Sequence, residues 1–425
     1  MTSPSVSVTP FTQNGGRITI TNKAESGITE WHLVNTATSQ PTWIMGMKIF
    51  STKRNEWVST QGLAGGIPAN SMVDIPYIGT VPPKLTIKLG KPSDVPAPAP
   101  APAPAPNPVP APLPKPSPPT TFDFPRKIFA PYVDILLWPT PSIYSVYEET
   151  GQKYFTLAFL TAAPDNKSVS WGSVIPLEKK FYMEEIEKIR SVGGDVIVSF
   201  GGANSHEIAT QITDPVALQK VYQDAIDMYK LKCIDFDLEG AYVLSNTESI
   251  DRRNKVIKKL QEANPNLLIN YCLPCTPQGL DYMATNIMVN AVKNGVKPHA
   301  VGLMTFDYGS WGWGKLDPQT QMDQMAINAC TNVKSQLDAM GLQYNGMIMI
   351  PMIGRTDVAP ETFTLANATN TLTWSQSKTW MHGLSFWSMS RDKPGDIGRA
   401  SPTASGTDAQ KSAYTNIYKA FTSKY

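Results

Sequence analysis

Three acids alternate with three apolar residues in Ile234-Asp235-Phe236-Asp237-Leu238-Glu239, a run closed by Gly240. Side chains on a strand alternate between its faces, so Asp235, Asp237 and Glu239 share one face and Ile234, Phe236 and Leu238 the other. Successive acids then lie about 6.6 Å apart, from a rise of about 3.3 Å per residue. Like charges held that close and away from water resist simultaneous ionisation, so at least one proton is retained near neutral pH. That is how a carboxyl becomes a general acid. Alternation alone equally suits a solvated edge strand with its acids outside, so the surrounding elements decide.

Those elements point to a central strand. Beyond residue 122, apolar runs alternate with amphipathic helices, and eight runs read as strands: Ile128 to Ile135, Tyr154 to Leu160, Asp195 to Phe200, Ile234 to Leu238, Leu267 to Leu273, Val301 to Phe306, Met347 to Met352 and Gly383 to Ser388. Asp214-Pro215 supplies an N-cap and first-turn proline, and Leu218, Val221, Tyr222, Ala225 and Tyr229 then line one helical face. Tyr182, Ile186 and Ile189 form a second such face, which stops at Gly193-Gly194. Eight strands with crossover helices predict an α/β fold, a (β/α)8 TIM barrel over residues 122–425, with its chemistry at the C-terminal strand ends. In a barrel the apolar face packs outward on helices, and the three acids point inward.

The first part of the chain has a different grammar. Residues 91–121 are rich in Pro and Ala, alternating almost strictly from Pro96 to Pro106, which predicts an extended, semi-rigid linker. Before it, within residues 1–90, short β-rich runs (Arg17 to Thr21, Trp31 to Val34, Met47 to Phe50, Glu56 to Val58, Lys84 to Lys88) are separated by Gly, Pro, Asn and Ser. This predicts a small all-β sandwich. Trp31, Trp43 and Trp57 are either core residues or flat platforms for sugar rings, and the second option makes the unit a carbohydrate-binding module.

Asp235-Phe236-Asp237-Leu238-Glu239 resembles the Asp-x-Asp-x-Glu signature of family 18 glycoside hydrolases, the chitinases and their relatives. Ser199-Phe200-Gly201-Gly202 resembles that family's third-strand Ser-x-Gly-Gly. Met304-Thr305-Phe306-Asp307-Tyr308 resembles its sixth-strand motif, and Phe386-Trp387-Ser388 with Arg391-Asp392 its eighth strand in bacterial members. Pro131-Tyr132-Val133-Asp134 and Leu273-Pro274 match more weakly in the same register. The resemblance spans residues 122–425. It implies hydrolysis of β-1,4-linked N-acetylglucosamine polymers with retention, the substrate's own N-acetyl oxygen acting as nucleophile. By position, Glu239 would be the general acid and later the base, Asp237 would hold the acetamido N–H and stabilise the cationic intermediate, and Asp235 behind it would share a proton. Asp307 would position the N-acetyl group or strengthen Glu239 as an acid, Tyr308 would line the substrate site, and Trp387 would floor the reacting sugar. Ser199, Gly201 and Gly202 would support the acids from behind. The chain departs from the pattern twice: Lys232 stands three residues before Asp235 where the fuller signature has Asp, and Phe306 stands where Tyr is common, removing a hydroxyl.

Sugar contacts farther out are expected from aromatic loops. Trp311 and Trp313 follow the sixth strand and Trp171 the second, each placed either to stack on sugar or to pack under its loop. The expected partner is chitin or an N-acetylglucosamine oligosaccharide. The same acids would also serve an endo-β-N-acetylglucosaminidase acting on N-glycans, and a non-catalytic chitin-binding lectin or adhesin could use the same barrel, although retention of Glu239 argues against it.

Composition excludes other classes. Of 425 residues 41% are hydrophobic and 17% charged, with 37 Lys plus Arg against 35 Asp plus Glu, a net of +2. So balanced a charge supplies no basic field for a nucleic acid. No apolar run reaches the roughly 18 to 20 residues of a membrane span, and the chain is expected to act as a monomer. His32, His206, His299 and His382 lack ligand spacing, so no metal and no cofactor is expected. Cys272 and Cys275 have redox or zinc spacing without a second pair and are expected to be core residues. Met1 to Gly16 shows no secretory signal. The polymer substrate nonetheless makes an extracellular location the expectation.

Overall fold

The computed structural model describes eight strands between residues 5 and 89 as backbone, and residues 124–125, 127–203 and 207–422 with their side chains. The Pro/Ala segment lies outside the described residues, as do the side chains of Trp31, Trp43 and Trp57. The chain divides into two compact units, Met1–Ala111 and Pro112–Tyr425. In the first unit the strands form two four-stranded antiparallel sheets. Five strands fall where β-rich runs predict them; Ser5–Thr12, Trp43–Ile44 and Ser71–Ile78 are additional.

The second unit is built on eight parallel strands: β1, in two segments (Ile128–Phe129 and Tyr132–Asp134), β2 (Tyr154–Ala162), β3 (Asp195–Gly201), β4 (Cys233–Asp237), β5 (Leu268–Pro274), β6 (Ala300–Met304), β7 (Gly346–Ile350) and β8 (Met381–Leu384). Neighbours in sequence pair in space, and the ring closes through the interrupted first strand. Ile128–Phe129 pairs with β8, and Tyr132–Asp134 pairs with β2. At least one helix follows each strand. The helix Pro215–Tyr229 begins as its sequence dictates, the Asp214 carboxylate accepting from the Val216 and Ala217 amides, and it buries Leu218, Val221, Tyr222, Ala225 and Tyr229.

Two kinds of interior result. Outward strand residues such as Val198, Phe236 and Leu303 join a large apolar cluster with the helices. Inside the ring, a lower layer holds Ile128, Ala130, Ile197 and Cys233, and an upper one Tyr132, Ala158, Cys272, Met304 and Ile350. All four cysteines are buried and free, as core residues.

The sixth strand departs from the sequence reading. It ends at Met304 rather than Phe306, and Asp307 takes a left-handed backbone with φ 54°. The period-two pattern therefore ends before residues 306–308, which follow loop geometry instead.

Candidate active site

β4 carries the acids as alternation requires. Ile234, Phe236 and Leu238 are fully buried outward, Phe236 stacking with Phe200 at 5.6 Å and meeting Tyr222 edge-on at 5.3 Å. Asp235 and Asp237 are buried inside the ring, and Glu239, just past the strand end, is half-buried at its C-terminal mouth. Register places Ser199 and Asn270 beside Asp235, and Gly201 and Cys272 beside Asp237.

Neutral donors hold the innermost acid. The Ser199 hydroxyl donates to Asp235 Oδ2 at 2.6 Å and the Tyr132 hydroxyl to the same oxygen at 2.9 Å. Burial outweighs both bonds and pushes the Asp235 carboxyl up to about 6. Asp237 is raised well above the usual carboxylate range, first by burial, then by the charges of Glu239 and Asp235. Its Oδ1 is buried and has no hydrogen-bond partner. Glu239 is pushed up to about 7 by burial and by the charge of Asp307. All three carboxyls are thus raised, chiefly by burial, with neighbouring charge adding to the effect at Asp237 and Glu239. Asp307 acts on Glu239 by holding its proton on, which is the reverse of strengthening it as an acid.

The two glycines of the third-strand motif have separate reasons. Gly201 has φ 113°, and a Cβ there would lie 2.1 Å from the Asp237 carbonyl oxygen. Gly202 has φ 85°, and a Cβ would lie 2.6 Å from the Phe159 ring. That ring stacks on Trp387 at 5.6 Å and 16°, while Tyr132 meets Trp387 at 6.1 Å. Trp387 is half-buried, its amide bonded to the Pro351 carbonyl past β7 and its carbonyl to the Ile353 amide. With Phe306 these rings form an apolar wall next to the acids.

Three aromatic positions are decided, Trp171 and Trp313 taking the packing alternative and Tyr308 being corrected. Trp171 is fully buried and donates its indole N–H to the Tyr229 hydroxyl at 2.8 Å, so it is a core residue and reaches no sugar. Tyr308 is buried in the outer apolar cluster while Phe306 lines the inner one, because the left-handed Asp307 turns the chain between them. Trp313 takes the packing option: it lies against the core and donates its indole N–H to Glu361 Oε1 at 2.7 Å. Trp311 is 96% exposed and remains available. Sequence reasoning missed Trp138, which is 90% exposed on the loop after β1; a Trp-Pro pair between a strand and a helix was its only signal. Lys232, the departure from the signature, lies 3.3 Å from Asp195 at the base of β3 and ties the two strands there. Arg391 and Asp392 are structural: Arg391 donates to the Ile353 carbonyl at 2.9 Å, and Asp392 accepts from the Tyr414 and Thr415 amides at 3.1 and 2.8 Å.

A closed ring of parallel strands with stacked acids on the fourth, beside a floor of Tyr132, Phe159 and Trp387, is the architecture of a glycosidase barrel. The chain belongs to the glycosyl hydrolases family 18, whose profile matches residues 141–422. It is 31% identical over 315 residues to a probable bifunctional chitinase/lysozyme of Escherichia coli strain K12, covering 70% of this chain and 35% of that one. It is 30% identical over 283 residues to endochitinase 11 of Metarhizium anisopliae, covering 64% of this chain and 53% of that one. The chain thus spans between about a third and a half of the length of the curated relatives it matches. Among solved structures, the catalytic domain of a hyperthermophilic chitinase from Pyrococcus furiosus superposes with TM-score 0.64 at 30% identity, covering 72% of this chain and 99% of that domain. Catalytic-site mutants of a domain of the thermostable Pyrococcus chitinase, solved with chito-oligosaccharides, match at 29% identity and TM-score 0.63, covering 71% of this chain and 96% of theirs. Among the described residues no helix is long and apolar enough to cross a membrane.

Proposed function

We propose that this protein is a chitinase that hydrolyses β-1,4-linked N-acetylglucosamine polymers with retention. The observation that carries the reading is Asp237 Oδ1, a buried acceptor without a partner, between a fully enclosed acid and a proton-retaining Glu239 nearer solvent. Such an acceptor suits an N–H brought by the substrate, and the acetamido group supplies one. Glu239 gives its proton to the leaving glycosidic oxygen as the acetamido oxygen attacks the anomeric carbon, and Asp237 accepts the amide N–H while its charge stabilises the oxazolinium ring. Water then attacks the same carbon as its bond to the acetamido oxygen breaks and the acetamide re-forms, and the water yields its proton to Glu239, restoring the acid and the original anomeric configuration. Asp235 shares protons with Asp237 from below, and Trp387 supports the apolar face of the reacting sugar. The exposed Trp311 and Trp138 extend the grip along the polymer.

The two N-terminal sheets are read as a sandwich that binds carbohydrate, joined by the linker of residues 91–121 to the barrel of residues 122–425. Tethering of this kind raises the barrel's effective concentration at an insoluble substrate, where the enzyme works as an extracellular monomer. The test is hydrolysis of colloidal chitin and of short N-acetylglucosamine oligomers by the parent chain and by Glu239→Gln. The parent should release chito-oligosaccharides and the variant should lose about 10³-fold or more in kcat while staying folded. Cleavage by the variant at the parent rate would remove Glu239 from the mechanism.

A further inference from the structure

Past the C-terminal ends of β6 and β7, two loops exchange acids, one fully buried and one half-buried. After β7 the chain forms a short hairpin, Gly354–Arg355 pairing antiparallel with Thr362–Phe363, and Glu361 just before its return strand is fully buried. Glu361 Oε1 accepts the Gly309 amide at 2.9 Å and the Trp313 indole N–H at 2.7 Å, both from the loop after β6. Its Oε2 accepts the Thr356 hydroxyl at 3.3 Å within the hairpin. In return, Asp307 of the β6 loop accepts the Val358 amide of the hairpin at 3.1 Å. Each loop supplies a carboxylate to the other, and a backbone bond from the Thr362 amide to the Pro318 carbonyl, 2.9 Å, closes the junction.

We propose that Glu361 is a positioning residue: by fastening the β6 loop to the β7 hairpin it sets where Asp307 stands beside Glu239 and where Trp311 is presented to the polymer. Asp307 and Gly309 both have left-handed backbones, φ 54° and 66°, so the chain turns sharply on either side of Tyr308, a geometry that Gly adopts freely and Asp more readily than most residues but that needs fixing to hold one position. One carboxylate oxygen gripping an amide and an indole a turn apart is such a constraint. Trp311 lies on the same short turn, Gly309–Trp313, between the two gripped groups. The effect on Glu239 rests on the acid role proposed above; the clamp itself does not.

The experiment pairs Glu361→Gln, which keeps the shape but weakens both bonds to Oε1, with spectroscopy of Trp-labelled protein. The Trp313 indole N–H resonance, assigned by its loss in Trp313→Phe, should move upfield in Glu361→Gln while overall fold is kept. On N-acetylglucosamine hexamer, kcat/KM should fall about 10- to 100-fold, with both a higher KM and a lower kcat, since small misplacement near reacting groups is costly. An unmoved resonance, or parent kinetics in Glu361→Gln, overturns the proposal. Should Glu361→Gln fail to fold, Trp313→Phe, which deletes one donor, should lower kcat/KM several-fold, and parent values there overturn it equally. A chain that cleaves no such oligomer would refute the functional reading, while the resonance still judges the clamp.

Discussion

Asp195 and Asp235 are both buried carboxyls inside adjoining barrel strands, yet they live under opposite rules. At the base of β3, Asp195 faces two cations, Arg190 Nε at 2.8 Å and Lys232 Nζ at 3.3 Å. Asp235, higher in the ring, accepts its hydrogen bonds from the hydroxyls of Ser199 and Tyr132, and its carboxyl rises to about 6. A buried acid given cations ties its strand to its neighbours through ion pairs. One given only neutral donors keeps its proton within reach of neutral pH. The upper end of the barrel thus holds its acid with neutral hydroxyls where the proposed mechanism calls for proton transfer, and the lower end pairs its acid with cations.

That contrast can be broken first at Asp237. Asp237→Asn should lower kcat on chito-oligomers by about 10²- to 10³-fold with unchanged folding, since the amide cannot balance the intermediate's charge; kcat within threefold of the parent would remove Asp237 from that role. Next, Ser199→Ala combined with Tyr132→Phe deletes both donors to Asp235. Those bonds lower its pKa, so their loss should raise it further above 6, and kcat should fall about tenfold with the acid limb of the profile moved to higher pH.

Asp307→Asn sharpens the comparison at the mouth of the barrel. The charge of Asp307 raises Glu239, so its removal should lower the basic limb of kcat/KM from near 7 and cost a few-fold in rate at pH 7.5. Stability offers a second reading of the same group. Glu239 titrates higher in the fold than in the unfolded chain, so its protonated form stabilises the fold fully below about pH 4, and that contribution is lost as pH rises through 7. Urea titrations of the parent should therefore lose more stability between pH 5 and 8 than those of Glu239→Gln. The smallest effect on activity is expected at the base: Asp195→Asn should leave kcat within twofold but cost about 1–3 kcal/mol of stability, read by denaturant unfolding. A large loss of activity there would dissolve the division between the two ends.

Much of the barrel could be read from the chain because its signals are local. Asp214-Pro215 starts a helix where it stands, and Gly193-Gly194 follows the end of another. Strand ends were less legible. β6 stops at Met304 because Asp307 turns left-handed, a choice held in place by the Val358 amide of a different loop. Glu361 carried no sequence signal at all, since its donors lie 48 and 52 residues away.

The amino-acid order alone determined which residues of β4 share a face, because a strand's period of two needs no partner to operate. It likewise determined that three acids would be stacked together. Only the tertiary structure decided which tryptophans stayed in water and which acids met cations. Trp171 and Trp311 are the same side chain at loop-adjacent positions. One is enclosed because Tyr229, 58 residues distant, comes to accept its N–H, while the other meets only solvent. Exposure and proton affinity are set by neighbours in space, and those neighbours are far apart along the chain.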